Sequence, residues 1–128
     1  MAISIVQLGS PRGKKEGVRI GTVRRPPRGV PKGEFASRNY YDTWLPQLAP
    51  SEPLVKKARA SASPREWHAF VTAYRREMHA AETSRLLDLL AALSHASDFA
   101  LGCYCEDETH CHRSVLRELL QERGAKMR

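Results

Sequence analysis

Residues Asp98–Arg123 read DFALGCYCEDETHCHRSVLRELLQER, and the reading of this stretch decides the fold. Phe99-Ala-Leu-Gly-Cys-Tyr-Cys105 is an apolar run too short for a helix and continuous enough to be covered on both faces, the pattern of a central parallel strand. A period of two puts Phe99, Leu101, Cys103 and Cys105 on one side, with Ala100, Gly102 and Tyr104 on the other. Leu116, Leu119 and Leu120 then recur at helical spacing, with Thr109 as the expected N-cap and Gly124 just past the end. Cys111 and His112 thereby fall in the first helical turn, where amides are unpaired and the dipole favours an anion. In open α/β sheets, ligands bind where a strand's carboxyl end meets a helix start.

Working outward, ISIVQL at Ile3–Leu8 and VRIGTV at Val18–Val23 have strand composition. Between them Gly9–Gly17 is a loop, and after them RRPPRGVPKG forbids helix and ladder alike and exposes Arg24, Arg25 and Arg28. Tyr40–Pro46 is an aromatic cluster expected to hold at most one helical turn and to pack under the preceding loop. A short helix opens at Ser51-Glu-Pro and runs to about Ala60. The clearest helix spans Pro64 to about Ala80, with Ser63 and Glu66 as a capping box. Thr83–Leu93 is a further amphipathic helix. This order predicts one domain over residues 1–128: a small α/β fold with a few-stranded, mostly parallel sheet flanked by helices, a Rossmann-like three-layer arrangement.

Nine basic residues stand against Glu16 and Glu34 in residues 1–40, so the whole formal charge of +7 belongs to that segment. A basic segment followed by Tyr41 and Trp44 fits either a small anionic or nucleotide-like ligand or a nucleic-acid backbone. No helix-turn-helix, zinc-finger or RNA-binding signature accompanies it. No apolar run approaches a membrane span and no signal peptide opens the chain, which excludes a membrane role and predicts a cytoplasmic protein. The three clustered cysteines, an odd number, argue for reduced thiols with a local role.

The segments TVRRPPRGV, YYDTWLPQLAPS and CYCEDETHCHRSVLRELL, with a W-H-A-F-x3-Y helix between them, resemble the YeaO-like family of bacterial proteins, domain of unknown function 488, in its cysteine-containing branch. In the better-known branch the loop after the early strand resembles D-R-x-W-P-R-G; here Val23-Arg-Arg-Pro-Pro-Arg-Gly29 lacks the acidic residue and the tryptophan. The resemblance covers about Gly17 to Ala125 and implies a compact α/β domain. It implies no reaction.

Three chemistries compete for the cluster. Cys111 or Cys105 is a nucleophile or redox thiol, with His112 as base, Asp107 or Glu106 as its acidic partner, and Arg113 favouring the thiolate. Alternatively Cys103, Cys105, Cys111 and either His110 or His112 hold zinc; the spacing departs from standard zinc patterns, and adjacent helical ligands diverge by roughly 100°, so zinc is not favoured. Finally, the helix start with Arg113, Arg24, Arg25 and Arg28 binds a phosphate. The bland alternative is that Cys103 is core. The combined expectation is a cleft between the Arg24–Arg28 loop and the Cys105–Arg113 loop, with Tyr41 and Trp44 contributing to ligand binding and Cys111 as nucleophile.

Overall fold

The computed structural model describes residues 1–128. Its strands are β1 (Ile3–Gln7), β2 (Val18–Gly21), β3 (Thr43–Trp44) and β4 (Phe99–Cys103); its helices are α1 (Glu52–Ala60), α2 (Pro64–Met78), α3 (Ala81–Leu93) and α4 (His112–Glu122). The four strands form one sheet in the order β1-β4-β2-β3, and every pairing is parallel. β4 is central and every residue in it is buried, as its unbroken apolar run requires. It ends at Cys103, two residues short of the expected end.

All four helices contribute to one side of the sheet. Leu54 of α1, Phe70, Tyr74 and Met78 of α2, Leu87, Leu90 and Ala91 of α3, and Val115, Leu116, Leu119 and Leu120 of α4 pack in one cluster with Ile3, Phe99 and Leu101. The capping box forms as read, the Glu66 amide donating to Ser63 Oγ at 3.2 Å. The third layer has no α-helix. It consists of the β1–β2 and β2–β3 connections, whose Leu8, Val23 and Tyr41 pack with Cys103 and Cys111 in a second, smaller cluster.

Arg19 organises that layer. It is fully buried, its guanidinium is paired with Glu16 at 2.7 Å, and it donates to the carbonyls of Ser10, Pro11 and Asn39. One of the nine basic residues of the N-terminal segment is therefore a structural pin. Glycine is demanded at two points. Gly17 has φ +67°, and a Cβ there would collide with the Asp98 carbonyl; a Cβ on Gly102 would strike Leu8 and Val6.

The aromatic cluster differs from its reading. It holds no helical turn before Pro46; Thr43–Trp44 is instead a short edge strand on β2, and the Trp44 indole donates to the Val23 carbonyl at 2.7 Å. No helix is long and apolar enough to cross a membrane.

Candidate functional site

β4 stops where Tyr104 and Cys105 leave the ladder, and the chain turns through a 3-10 turn at Glu108–His110 before α4 begins. Asp107 Oδ1 accepts from the Thr109 amide at 2.9 Å, so Thr109 is consumed by this turn and is not the N-cap of α4. Cys111 is the N-cap residue, in extended conformation at φ −134°, and His112 is the first helical residue. The divergence argued for two adjacent helical ligands therefore does not apply, because only one of them is helical.

This junction gathers Cys103, Cys105, Cys111, His112 and Arg113. The His112 Nε2–H donates to the Thr22 carbonyl at 2.7 Å, which fixes the proton on Nε2 and leaves the Nδ1 lone pair facing Cys111 Sγ at 3.7 Å. The Tyr74 ring closes over the imidazole edge-on, with centroids 5.7 Å apart. Arg113 is buried; its Nε–H donates to Cys111 Sγ at 3.4 Å and an Nη2–H to the Cys105 carbonyl. It pairs with no carboxylate, and its side-chain partner is Cys111 Sγ.

The three thiols share protons unequally. Cys103 is pushed up by donating to Cys105 and Cys111 and by burial, so it keeps its proton. Cys105 is pulled down to about 3, first by the Cys103 hydrogen bond, then by Cys111 and, against burial, by the Arg113 charge. Cys111 is lowered by the Cys103 hydrogen bond and by His112, against Cys105 and burial. Two carboxylates of the intervening loop are engaged elsewhere. Glu108 pairs with Arg117 at 3.0 Å, and Asp107 lies 3.4 Å from His110 Nδ1.

A cleft of about 260 Å³ opens in front of the thiols. Arg24, Arg25, Arg28 and Arg59 line it together with Cys103, Cys105, Cys111, His110 and His112. Glu52 is the one carboxylate, and it pairs with Arg25 at 2.8 Å. Arg24 is braced by the Ala49 and Pro50 carbonyls, while Arg28 and Arg59 reach the cleft without an ion pair. The cleft is thus cationic, with sulfur at its inner end.

The structure places two groups of expected site residues apart from the thiols. Tyr41 and Trp44 line a separate groove with Pro26, Val30 and Phe35, so they do not border the thiol cleft. Asp107 is the partner of exposed His110, and the group that orients His112 is the Thr22 carbonyl. Sequence reasoning missed Thr22, Arg59 and Tyr74. A main-chain carbonyl leaves no residue signature, and Tyr74 sits in an apolar helical stripe that reads as core. Arg59 carried a faint signal, a basic residue in the last turn of a short helix.

Cys103, Cys111 and His112 bring their donor atoms within 4.8 Å of one another, and all three residues are buried. Two thiolates and an imidazole are donors that zinc accepts, with a fourth position left to Cys105 or to a ligand in the cleft.

A family model described as the active DUF488-N3 subclade matches residues 3–124. No curated protein and no solved structure matches the chain. With nearly every residue inside that match, the all-parallel β1-β4-β2-β3 sheet and its cysteine-bearing β4–α4 junction belong to a member of the DUF488, or YeaO-like, family.

Proposed function

We propose that the protein is an enzyme acting on a small phosphate-bearing or nucleotide-derived ligand, with Cys111 as its nucleophile. The carrying observation is that four arginines and a single carboxylate residue line one cleft together with the buried Cys111 and His112. The arginines hold the anion. His112 Nδ1 takes the thiol proton, the Nε2–H bond to Thr22 steadies the imidazolium so formed, and Arg113 stabilises the sulfur anion. The sulfur attacks the ligand's electrophilic centre, and the imidazolium returns the proton to the leaving group. Cys111 is 2 % exposed, so attack requires a ligand that enters the cleft. The test is iodoacetamide labelling of folded protein, read cysteine by cysteine, with and without inorganic pyrophosphate. Alkylation of Cys111 that pyrophosphate suppresses is the expected result; a Cys111 inert until unfolding removes the reading.

A metal-binding role is the second reading, favoured by the unprotonated His112 Nδ1 that faces two sulfurs. It requires about one equivalent of zinc in purified protein. Elemental analysis without metal, and stability indifferent to a chelator, would eliminate it. Nucleic-acid binding by the basic segment has less free charge to draw on than the sequence suggests, since Arg12, Arg19 and Arg25 are each paired with a carboxylate. Salt-dependent binding with a preference for one nucleic-acid structure would be needed to revive it.

A further inference from the structure

The nucleophile reading uses one sulfur and leaves two idle. Cys103 closes β4 and is 6 % exposed, whereas Cys105, two residues on and past the end of the ladder, is exposed at the cleft. The Cys103 S–H points at Cys105 Sγ across 3.8 Å, so a disulfide requires the sulfurs to approach by a little under 2 Å. Cys111 Sγ also lies within 4.8 Å of Cys103 Sγ, but it is buried and held in addition by Arg113 Nε and the His112 ring. The bond from Arg113 to the Cys105 carbonyl holds the Cys105 backbone beside the buried thiol. An accessible sulfur backed by a buried one at this separation is the arrangement of an attacking and a resolving thiol.

We propose that Cys105 and Cys103 form a dithiol–disulfide couple that reduces hydroperoxides, an activity separate from the chemistry assigned to Cys111. The Cys105 thiolate attacks the terminal peroxide oxygen. The O–O bond breaks, the remaining oxygen leaves as the alcohol or water after taking up a proton, and Cys105 becomes a sulfenic acid. The Cys103 sulfur then attacks the Cys105 sulfur and gives up its proton. The S–O bond breaks, and hydroxide and that proton depart as water. The peroxide gains the two electrons that the two thiols lose, and a small-molecule thiol returns the couple to its reduced form.

All three cysteines lie in one tryptic peptide, Leu86–Arg113, which makes the assay direct. Metal-depleted protein is treated with one equivalent of hydrogen peroxide, blocked with N-ethylmaleimide, digested without reductant and weighed. The expected peptide has lost two hydrogens and carries a single maleimide, on Cys111. Cys105→Ser should slow peroxide consumption by about tenfold or more. Cys103→Ser should leave a sulfenic acid on Cys105 that dimedone traps, whereas Cys111→Ser should still form the bridge. A bridge that includes Cys111, three thiols unchanged by peroxide, or full peroxide consumption by Cys105→Ser would each overturn the proposal. Because Cys111→Ser abolishes the nucleophile while sparing the couple, failure of one reading is distinguishable from failure of the other.

Discussion

His112 donates its Nε2 proton to the Thr22 carbonyl, 2.7 Å away and ninety residues earlier in the chain. The bond spans the two halves of the site, the helix start after β4 and the arginine loop after β2. It also fixes which nitrogen faces the cysteines. Replacing His112 by Gln should leave the fold intact and slow Cys111 alkylation at neutral pH by about tenfold or more, because the base is gone while the hydrogen-bonding volume remains. Unchanged Cys111 alkylation in folded His112→Gln would show that the imidazole plays no part in activating the thiol.

Arg113 is the buried cation of the cluster, and its removal should raise the alkylation midpoints of both Cys105 and Cys111. For Arg113→Ala we expect an upward movement at Cys105, where its charge acts directly. The readout is the pH dependence of iodoacetamide labelling for each cysteine. Midpoints identical to wild type in a folded variant would show that Arg113 has no part in depressing the thiols.

Anion binding should appear as stabilisation. At about ten times its dissociation constant, pyrophosphate should add about 1.4 kcal/mol, or roughly 3–6 °C in melting temperature for a chain of this size. Arg28→Ala and Arg59→Ala, each in the cleft without an ion pair, should weaken this shift. Trp44→Ala, in the separate groove, should not. Equal loss in all three variants would mean that binding follows overall charge.

Gly17→Ala tests the packing of the loop layer. The new methyl group would meet the Asp98 carbonyl at a left-handed position, so we expect a loss of about 1–3 kcal/mol in urea unfolding. Gly29→Ala, also at positive φ but facing open space, should cost less.

Asp98 carries a pH dependence of known sign. The Ala2 amide, and then Arg128, hold its carboxyl below the ordinary aspartate value. Its stabilising contribution is therefore complete above that ordinary value and is lost as pH falls through the lower native one. Asp98→Asn should reduce stability at neutral pH and flatten the acid limb between these two points. Parallel acid limbs in variant and wild type would contradict the assignment.

The β4–α4 unit was legible because its signals are strong and local: an unbroken apolar run, then leucines at helical spacing. The edge strand was not, since two residues carry no periodicity and Thr43–Trp44 is held by pairing with β2, a contact across the chain. The role of Arg19 was hidden for a related reason. Composition counts a guanidinium as a surface charge, and only the enclosing Ser10, Pro11 and Asn39 carbonyls reveal it as an internal one. The start of α4 was placed two residues early because Thr109 is a good capping residue and Asp107 claimed it first. The cysteine cluster was visible as composition, but the directions of its hydrogen bonds and the carbonyl that steadies His112 belong to the folded chain.

Thr22 is followed directly by Val23 and Arg24, so the peptide that steadies the imidazole is the root of the loop that grips the anion. Ligand recognition and thiol activation are consequently mechanical neighbours. A ligand that draws Arg24–Arg28 inward acts, within two peptide units, on the carbonyl that holds the His112 proton. Pyrophosphate affinity should therefore change in His112→Gln, although the side chain at that position need never touch the phosphate.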